Sequence, residues 1–519
     1  MALALCLALF PAGGLAMFVE DSYEYLAANA PDALQADLTV AYVASDGALL
    51  NPFWCTERDL ISVNAMVFES VVELDSEQKP VPLLADSWTN DGKKWTFQLR
   101  SGIQFHNGYE LVAGDVVASY ENFLAAGETN PYYARLSLVE SMTAVDAYTL
   151  EVIGRYEGMI TLYAMTFPVV ERTSMGDAIP RGTGPYWYIN YNTNISIRLE
   201  RNPLWWKTQP EISSIVFLRY YTTGDAIEAL TTGRVDCLST RSSKAAFTRK
   251  LSNIIATDYP TITYEMLIPN LSDSSPLSDV RVRKAVMYAI DRSTLASNAY
   301  LDMALQTEVP ILPDTWLYES QSAVYYYSPE RALQLLNEVG WEDLTGDAYL
   351  NQLEDGMLKD LSITIVTYNE PTSTIRQNAI EQIARNLEAV GIHTTVYTLS
   401  QSEVGSCIRN GNFDLALIGV NLSEVPLMTP LFADGGAVNY SGSHTNEMDQ
   451  ILARTLTAAT EEELKQAYSD LQMYIVDKLP IMGLLFRTGT VLSTRSMAGL
   501  SGTRQNDAFN GIEFVSLEE

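Results

Sequence analysis

Three histidines, His106, His393 and His444, lie scattered through 519 residues. So few, so far apart, exclude most multi-histidine metal centres. His106, in Phe105-His106-Asn107-Gly108, falls at a turn, where a structural role outweighs that of a general base. His393 falls in an expected strand and reads as structural. The chain contains no G-x-x-x-x-G-K-[ST], no H-E-x-x-H and no G-x-S-x-G, so the common phosphate-binding, zinc-protease and serine-hydrolase signatures are absent. Gly182-Thr183-Gly184 comes nearest to a dinucleotide loop, but it lacks the third glycine and runs into Pro185. Asp343 and Asp347 hint at a calcium loop; the twelve-residue ligand pattern is not met, which leaves an exposed polar loop. No catalytic residue, metal ligand or cofactor site is therefore assigned. The surplus is aromatic: 29 Tyr, 15 Phe and 8 Trp, many beside expected loops. Tyr and Trp pair a large apolar face with one polar handle, which suits recognition.

Several elements are expected to position these residues. Leu38 to Ala44 reads as a strand. Thr56 with Asp59 resembles a capping box, and Leu60, Val63, Val67 and Val71 continue at helical spacing. Trp95, Phe97 and Leu99 alternate with polar residues after a turn at Asn90-Asp91-Gly92, as a half-buried strand would. Asp115–Leu124 looks helical. Ser278 or Asp279 should cap one helix and Ser328 another. From Leu361 the pattern is most regular: a β-rich run, a helix over 375–390 stopped by Gly391, a second β-rich run to Leu399, a short polar helix, and the apolar run Phe413–Gly419. This β-α-β-α-β order predicts a parallel sheet, and ligands of such sheets lie beyond the carboxyl ends of the strands. The loops after Thr367 and Gly419 are thereby nominated.

Acids outnumber bases 64 to 33, a formal charge of −31. That sign is wrong for a nucleic-acid binder or for electrostatic attachment to anionic lipid. At roughly 100–200 residues per domain the length allows two to four domains. Ala2–Leu9 is an unbroken apolar run; with Pro11, Gly13, Gly14 and the small-residue site Gly14-Leu15-Ala16 it reads as a secretory signal over 1–16. No basic residue precedes Arg58, so the true start is expected upstream. Cys6 follows Leu5, which is not small, so lipidation there is disfavoured. Cys55, Cys237 and Cys407 form no disulfide framework. The segment up to Gln35 is expected to be poorly ordered.

An ordered string of motifs then becomes familiar. Residues 81–119 read Val-Pro-Leu-Leu-Ala-Asp-Ser-Trp, Asn-Asp-Gly-Lys-Lys-Trp-Thr-Phe-Gln-Leu-Arg, Ser-Gly-Ile-Gln-Phe-His-Asn-Gly and Ala-Gly-Asp-Val-Val-Ala-Ser. Gly182-Thr-Gly-Pro-Tyr186, Arg201-Asn-Pro-Leu-Trp-Trp206, Gly233-Arg-Val-Asp236, Asp279-Val-Arg-Val-Arg-Lys-Ala285, Tyr288-Ala-Ile-Asp-Arg292 and Gly411-Asn-Phe-Asp-Leu-Ala416 follow. Over about residues 38–515 this resembles the family 5 extracellular solute-binding proteins, the peptide- and nickel-type receptors of ABC importers. The resemblance implies an α/β, two-lobed periplasmic-binding-protein type II fold (cluster C) with an extra subdomain in lobe 1. Lobe 1 is placed at 37–268 with the subdomain near 55–178, lobe 2 at 269–486, and a return to lobe 1 at 487–519. Hinge crossings are expected near Pro269-Asn270 and Arg487-Thr488.

The function implied is capture of a small solute between the lobes, most simply a short peptide, and delivery to the membrane subunits of an ABC importer. The protein would be a monomer outside the cytoplasm, periplasmic or at the cell surface, tethered if its true start encodes a lipoprotein signal. In peptide receptors of the family an aspartate after the Phe-Asp-Leu-Ala strand commonly pairs with the ligand's ammonium. Here Gly419-Val-Asn-Leu-Ser-Glu-Val-Pro426 has no aspartate; Glu424 is its only acid and Asn421 a neutral substitute. Glu370, after the other strand, is a second candidate acid. Loop position and family topology nominate Asn51, Phe53, Trp54, Tyr186, Trp187, Tyr368, Asn421, Glu424 and Asn439 for the cleft. An oligosaccharide or other polar solute is the alternative within the fold. A signalling or chaperone-like receptor is a further reading, and a hydrolase is disfavoured for want of a motif.

Overall fold

The computed structural model describes residues 22–371 and 373–517; the leader expected over 1–16, with Cys6, lies outside them. The strands are β1 Leu38–Val43, β2 Ala85–Asp91, β3 Lys94–Leu99, β4 Val139–Ala144, β5 Thr149–Gly154, β6 Tyr186–Asn192, β7 Ser196–Arg201, β8 Ser214–Tyr220, β9 Cys237–Thr240, β10 Ile255–Pro269, β11 Ala304–Gln306, β12 Ser362–Tyr368, β13 His393–Leu399, β14 Leu415–Asn421 and β15 Met482–Ser493, with short hairpins besides. An 11-stranded sheet runs β13-β12-β14-β10-β15-β9-β1-β8-β7-β6, with β11 paired to β15.

Two long antiparallel strands, β10 and β15, cross the middle of this sheet and join its halves. On one side β1 lies parallel to β8 and β9. On the other β12 lies parallel to β13 and β14. The expected β-α-β-α-β unit is this second half: helices α3 Ile375–Glu388 and α4 Gln401–Asn410 provide the crossovers. Two earlier helices matter below: α1 Arg58–Ala65 and α2 Tyr133–Leu136. A separate antiparallel sheet, β2-β3-β5-β4, forms the extra subdomain.

The long strands lose register at two places, between Pro260 and Tyr264 and between Glu265 and Met266, and the first is the wider. Pro260 pairs with Thr488 and Tyr264 with Phe486, so residues 261–263 oppose Arg487 alone. A bulge of this kind bends the ladder and weakens it locally. Thr261 Oγ1 donates to the Arg487 carbonyl (2.7 Å) and bridges the gap. Glycines flank it on β15: a Cβ at Gly483 would stand 1.8 Å from the Tyr264 hydroxyl, and one at Gly489 2.3 Å from the Tyr259 ring.

Two expectations change. The segment before Gln35 is ordered as a helix, Ser22–Asn29, because Leu26 is buried in an apolar cluster with Val216, Leu218 and Leu230. The Thr56–Asp59 capping box does not form. Helix α1 starts after Glu57 with no side-chain cap, since the Asp59 carboxylate accepts from the Val43 amide instead (2.9 Å). The helix stops at Ala65, well short of Val71, where the 182–184 loop docks on the backbone of Met66 and Val67. Asp279 and Ser328 do cap their helices.

Candidate functional site

The sequence motifs converge on one buried acid that sequence reading did not single out. Glu69 accepts from the Thr183 hydroxyl (2.8 Å), the Trp205 indole (3.2 Å) and the Trp206 indole (2.9 Å). Burial pushes its carboxyl above the usual range, while these donors pull it back down. The Gly-Thr-Gly-Pro motif supplies Thr183, and its glycines permit the approach: a Cβ at Gly182 would lie 2.0 Å from the Val67 carbonyl oxygen. Asn202 adds a bond from Nδ2 to the Gly184 carbonyl (3.0 Å). His106 closes the loop, its Nδ1 accepting from the Gly182 amide (3.2 Å). Burial lowers the His106 pKa to about 4, so the ring is neutral and structural. The motif string is thus largely scaffold.

Glu69 faces a cavity of about 250 Å³ also lined by Glu73, Tyr132, Arg135, Lys207, Glu424, Arg504, Asp507 and Glu513. The wall has four sources: the extra subdomain, the stretch from Pro185 to Lys207, the loop after β14, and the C-terminal segment. A smaller hollow of about 60 Å³ adjoins it, sharing Leu74, Glu424 and Arg504, and holds Tyr163, Trp316 and Gln505. Gln505 also lines a narrow hollow with Arg58, Asp59 and Ser239, and those three open onto a polar recess of about 410 Å³ at the carboxyl ends of β1 and β9. The hollows therefore run in series, and the 60 Å³ one draws its wall from both halves of the molecule, with Tyr163 on one side and Trp316 on the other. Their cavity end is acidic, and burial raises the carboxyls of Glu73 and Asp507 and pushes that of Glu513 up to about 7.

Glu424 is the nominated residue that the structure places in this cavity. Its Oε2 pairs with Arg135 Nη2 at 2.5 Å, the arginine buried at 7% exposed and the glutamate partly buried at 15%. Its Oε1 is buried without a hydrogen-bond partner. Arg135 is held from its own side by the Thr166 carbonyl and hydroxyl (3.1 and 2.6 Å) and lies over the Tyr132 ring.

The other nominated residues are engaged elsewhere. Asn51 gives both amide protons to the Met175 and Asp177 carbonyls, which leaves none for a ligand. Phe53 packs on Phe123 in the core, and Tyr186 is buried with its hydroxyl on the Ile212 carbonyl. Trp54 is exposed. Trp187 meets His106 edge to face, and its indole nitrogen has no partner. Asn421 is exposed at the end of β14 and accepts from Thr263. Asn439 ties its own loop to the Ala433 and Ser443 carbonyls. Tyr368 covers the Arg376 guanidinium (4.1 Å). Glu370 is committed too: it pairs with Arg376 (2.7 Å) and Arg487 (3.0 Å), which also hold Glu265 (2.8 and 2.6 Å). That four-charge cluster sits beside the register break. Among the described residues no group of His, Cys, Asp and Glu is arranged to hold a metal ion, and no helix is long and apolar enough to cross a membrane.

Comparison with known proteins agrees with this architecture. The family model of bacterial extracellular solute-binding proteins, family 5 (middle), matches residues 79–439. The oligopeptide-binding protein AppA of Bacillus subtilis is 22% identical over 91% of this chain and 90% of its own length. The nickel-binding periplasmic protein of Escherichia coli is 25% identical over 75% of each chain. The solved structure of HbpA2 from Haemophilus parasuis superposes with a TM-score of 0.78 at 18% identity, covering 93% of this chain and 100% of that one. A fold of two lobes and a matching family model agree: the chain belongs to family 5 of the bacterial extracellular solute-binding proteins and is a binding protein rather than an enzyme.

Proposed function

We propose that the protein captures a short peptide between its lobes, outside the cytoplasm, and hands it as a monomer to an ABC importer. The observation that carries this reading is Glu424, with one oxygen paired to Arg135 and the other buried without a partner in the cavity. A bare carboxylate oxygen calls for a donor, and an ammonium supplies a charge-assisted one. The peptide's α-ammonium would sit on Glu424 Oε1, and its chain would follow the hollows toward Arg58, where a carboxylate finds a cation. Glu424 then does what an aspartate after this strand does in peptide receptors of the family. AppA of Bacillus subtilis, named for oligopeptide binding, supports the class.

We place the division of the lobes where β10 and β15 lose register, at 260–264 and 486–488, a few residues ahead of the crossing expected near Pro269; the bulge there supports this reading. Closing on a ligand and reversing a 1:99 population requires a differential affinity of about 5.5 kcal/mol. A few charge-assisted bonds and apolar burial across the cleft are enough. Native mass spectrometry of the purified protein, followed by a thermal-shift panel of peptides, oligosaccharides and nickel, tests the reading. Peptides should raise the midpoint; a shift with sugars alone would overturn the peptide reading.

A further inference from the structure

Several contacts join the extra subdomain to lobe 2. Trp316 Nε1 donates to the Tyr163 hydroxyl (2.9 Å), the Trp316 amide to the Glu77 carbonyl (3.0 Å), and the Met159 amide to the Ala458 carbonyl (2.8 Å). Lys79 pairs with Glu461 where both side chains are largely solvated, and such pairs contribute little. Arg135–Glu424 differs from all of these. It joins a buried guanidinium to a partly buried carboxylate, and it lies in the cavity wall itself.

The two partners are anchored unequally. Arg135 is fixed by three contacts within its own subdomain, to the Thr166 carbonyl, the Thr166 hydroxyl and the Tyr132 ring. Glu424 makes its one ion pair across the gap. A buried charge stripped of its partner is strongly unfavourable, so Arg135 above all favours the lobes together, or water admitted by parting them. Arg135 therefore occupies, from inside the protein, the kind of position that a ligand's cation would take.

We infer that Arg135 is a built-in latch: it closes the ligand-free receptor by pairing with Glu424 across the cleft, as an internal stand-in for a cationic ligand. The inference rests on the two-lobed binding reading but not on the peptide. Its test uses no ligand, so its failure leaves the peptide assignment standing, and failure of the peptide assignment leaves the latch standing.

Small-angle scattering on full-length protein, freed of ligand by unfolding and refolding, reads the latch. The wild type should be compact. Arg135→Gln and Glu424→Gln should each raise the radius of gyration, by on the order of 1 Å for a hinge opening in a chain of this size. The double exchange Arg135→Glu with Glu424→Arg should return it toward the wild-type value. Single variants as compact as the wild type, or a double exchange as expanded as the singles, would overturn the inference. Hydrogen exchange on the unaltered ligand-free protein gives an answer that needs no variant to fold. Amides of 133–138 and 422–427 should already be protected; rapid exchange in both segments would overturn the latch.

Discussion

Glu424 is one acid among 64, and its surroundings single it out. Replacing it by Gln keeps the shape and removes the charge. Losing a charge-assisted bond worth about 1.5–3 kcal/mol should weaken binding of a free-amine peptide roughly 10- to 100-fold, read by isothermal titration. Sequence reading reached Glu424 because loop position and family topology isolate it. It did not reach Arg135, Glu69 or Asp507, since nothing in their neighbours marks them as cavity-lining. The aromatic surplus pointed there only in part: Trp205, Trp206 and Trp316 stand at the hollows, while packing takes Phe53 and Tyr186 into the core and leaves Trp54 in solvent. His106 carries a separate expectation. Its folded pKa of about 4 lies below the ordinary 6.5, so the unfolded chain binds the extra proton between those values. The part of the stability that His106 supplies should therefore be complete above pH 6.5 and fall by up to about 3 kcal/mol as pH drops toward 4; Glu513, raised to about 7, acts in the opposite sense over this range, so the His106 part is the difference between the wild type and His106→Gln. Urea unfolding of both across this range checks it, and His106→Gln should lack that fall.

At the scale of elements, the β-α-β-α-β unit was legible because period-2 and period-3.6 runs alternate there between clear stops. The end of helix α1 was not: Val67 and Val71 continue the helical spacing, yet the 182–184 loop claims the backbone at Val67. The four-charge cluster was equally hidden, since Glu265, Glu370, Arg376 and Arg487 lie on separate segments. Gly419 records its presence. A Cβ there would stand 2.1 Å from Arg376 Nη2 and 2.8 Å from Glu265 Oε1. Arg376 is pinned by both Glu265 oxygens and by Glu370, so it has nowhere to retreat. Gly419→Ala should cost about 2–4 kcal/mol in chemical denaturation. Glu265→Ala, which leaves two arginines sharing Glu370, should cost about 3–5 kcal/mol. Wild-type stability in either variant would show the cluster to be less rigid than its contacts imply.

For the whole molecule, the acidic balance describes an exported surface more than a ligand. The charge that selects is local: the acidic end of a row of hollows, with Arg58 toward the other. On the proposed function, the bulge in β10 opposite Arg487 is where two halves built on one continuous sheet would hinge. The most direct test of ammonium capture at Glu424 is isothermal titration of the unfolded-and-refolded protein with trialanine and with N-acetyl-trialanine. The free amine should bind saturably at one site, and acetylation should weaken it at least about tenfold. Equal affinity for the two peptides, or binding of neither, would contradict it.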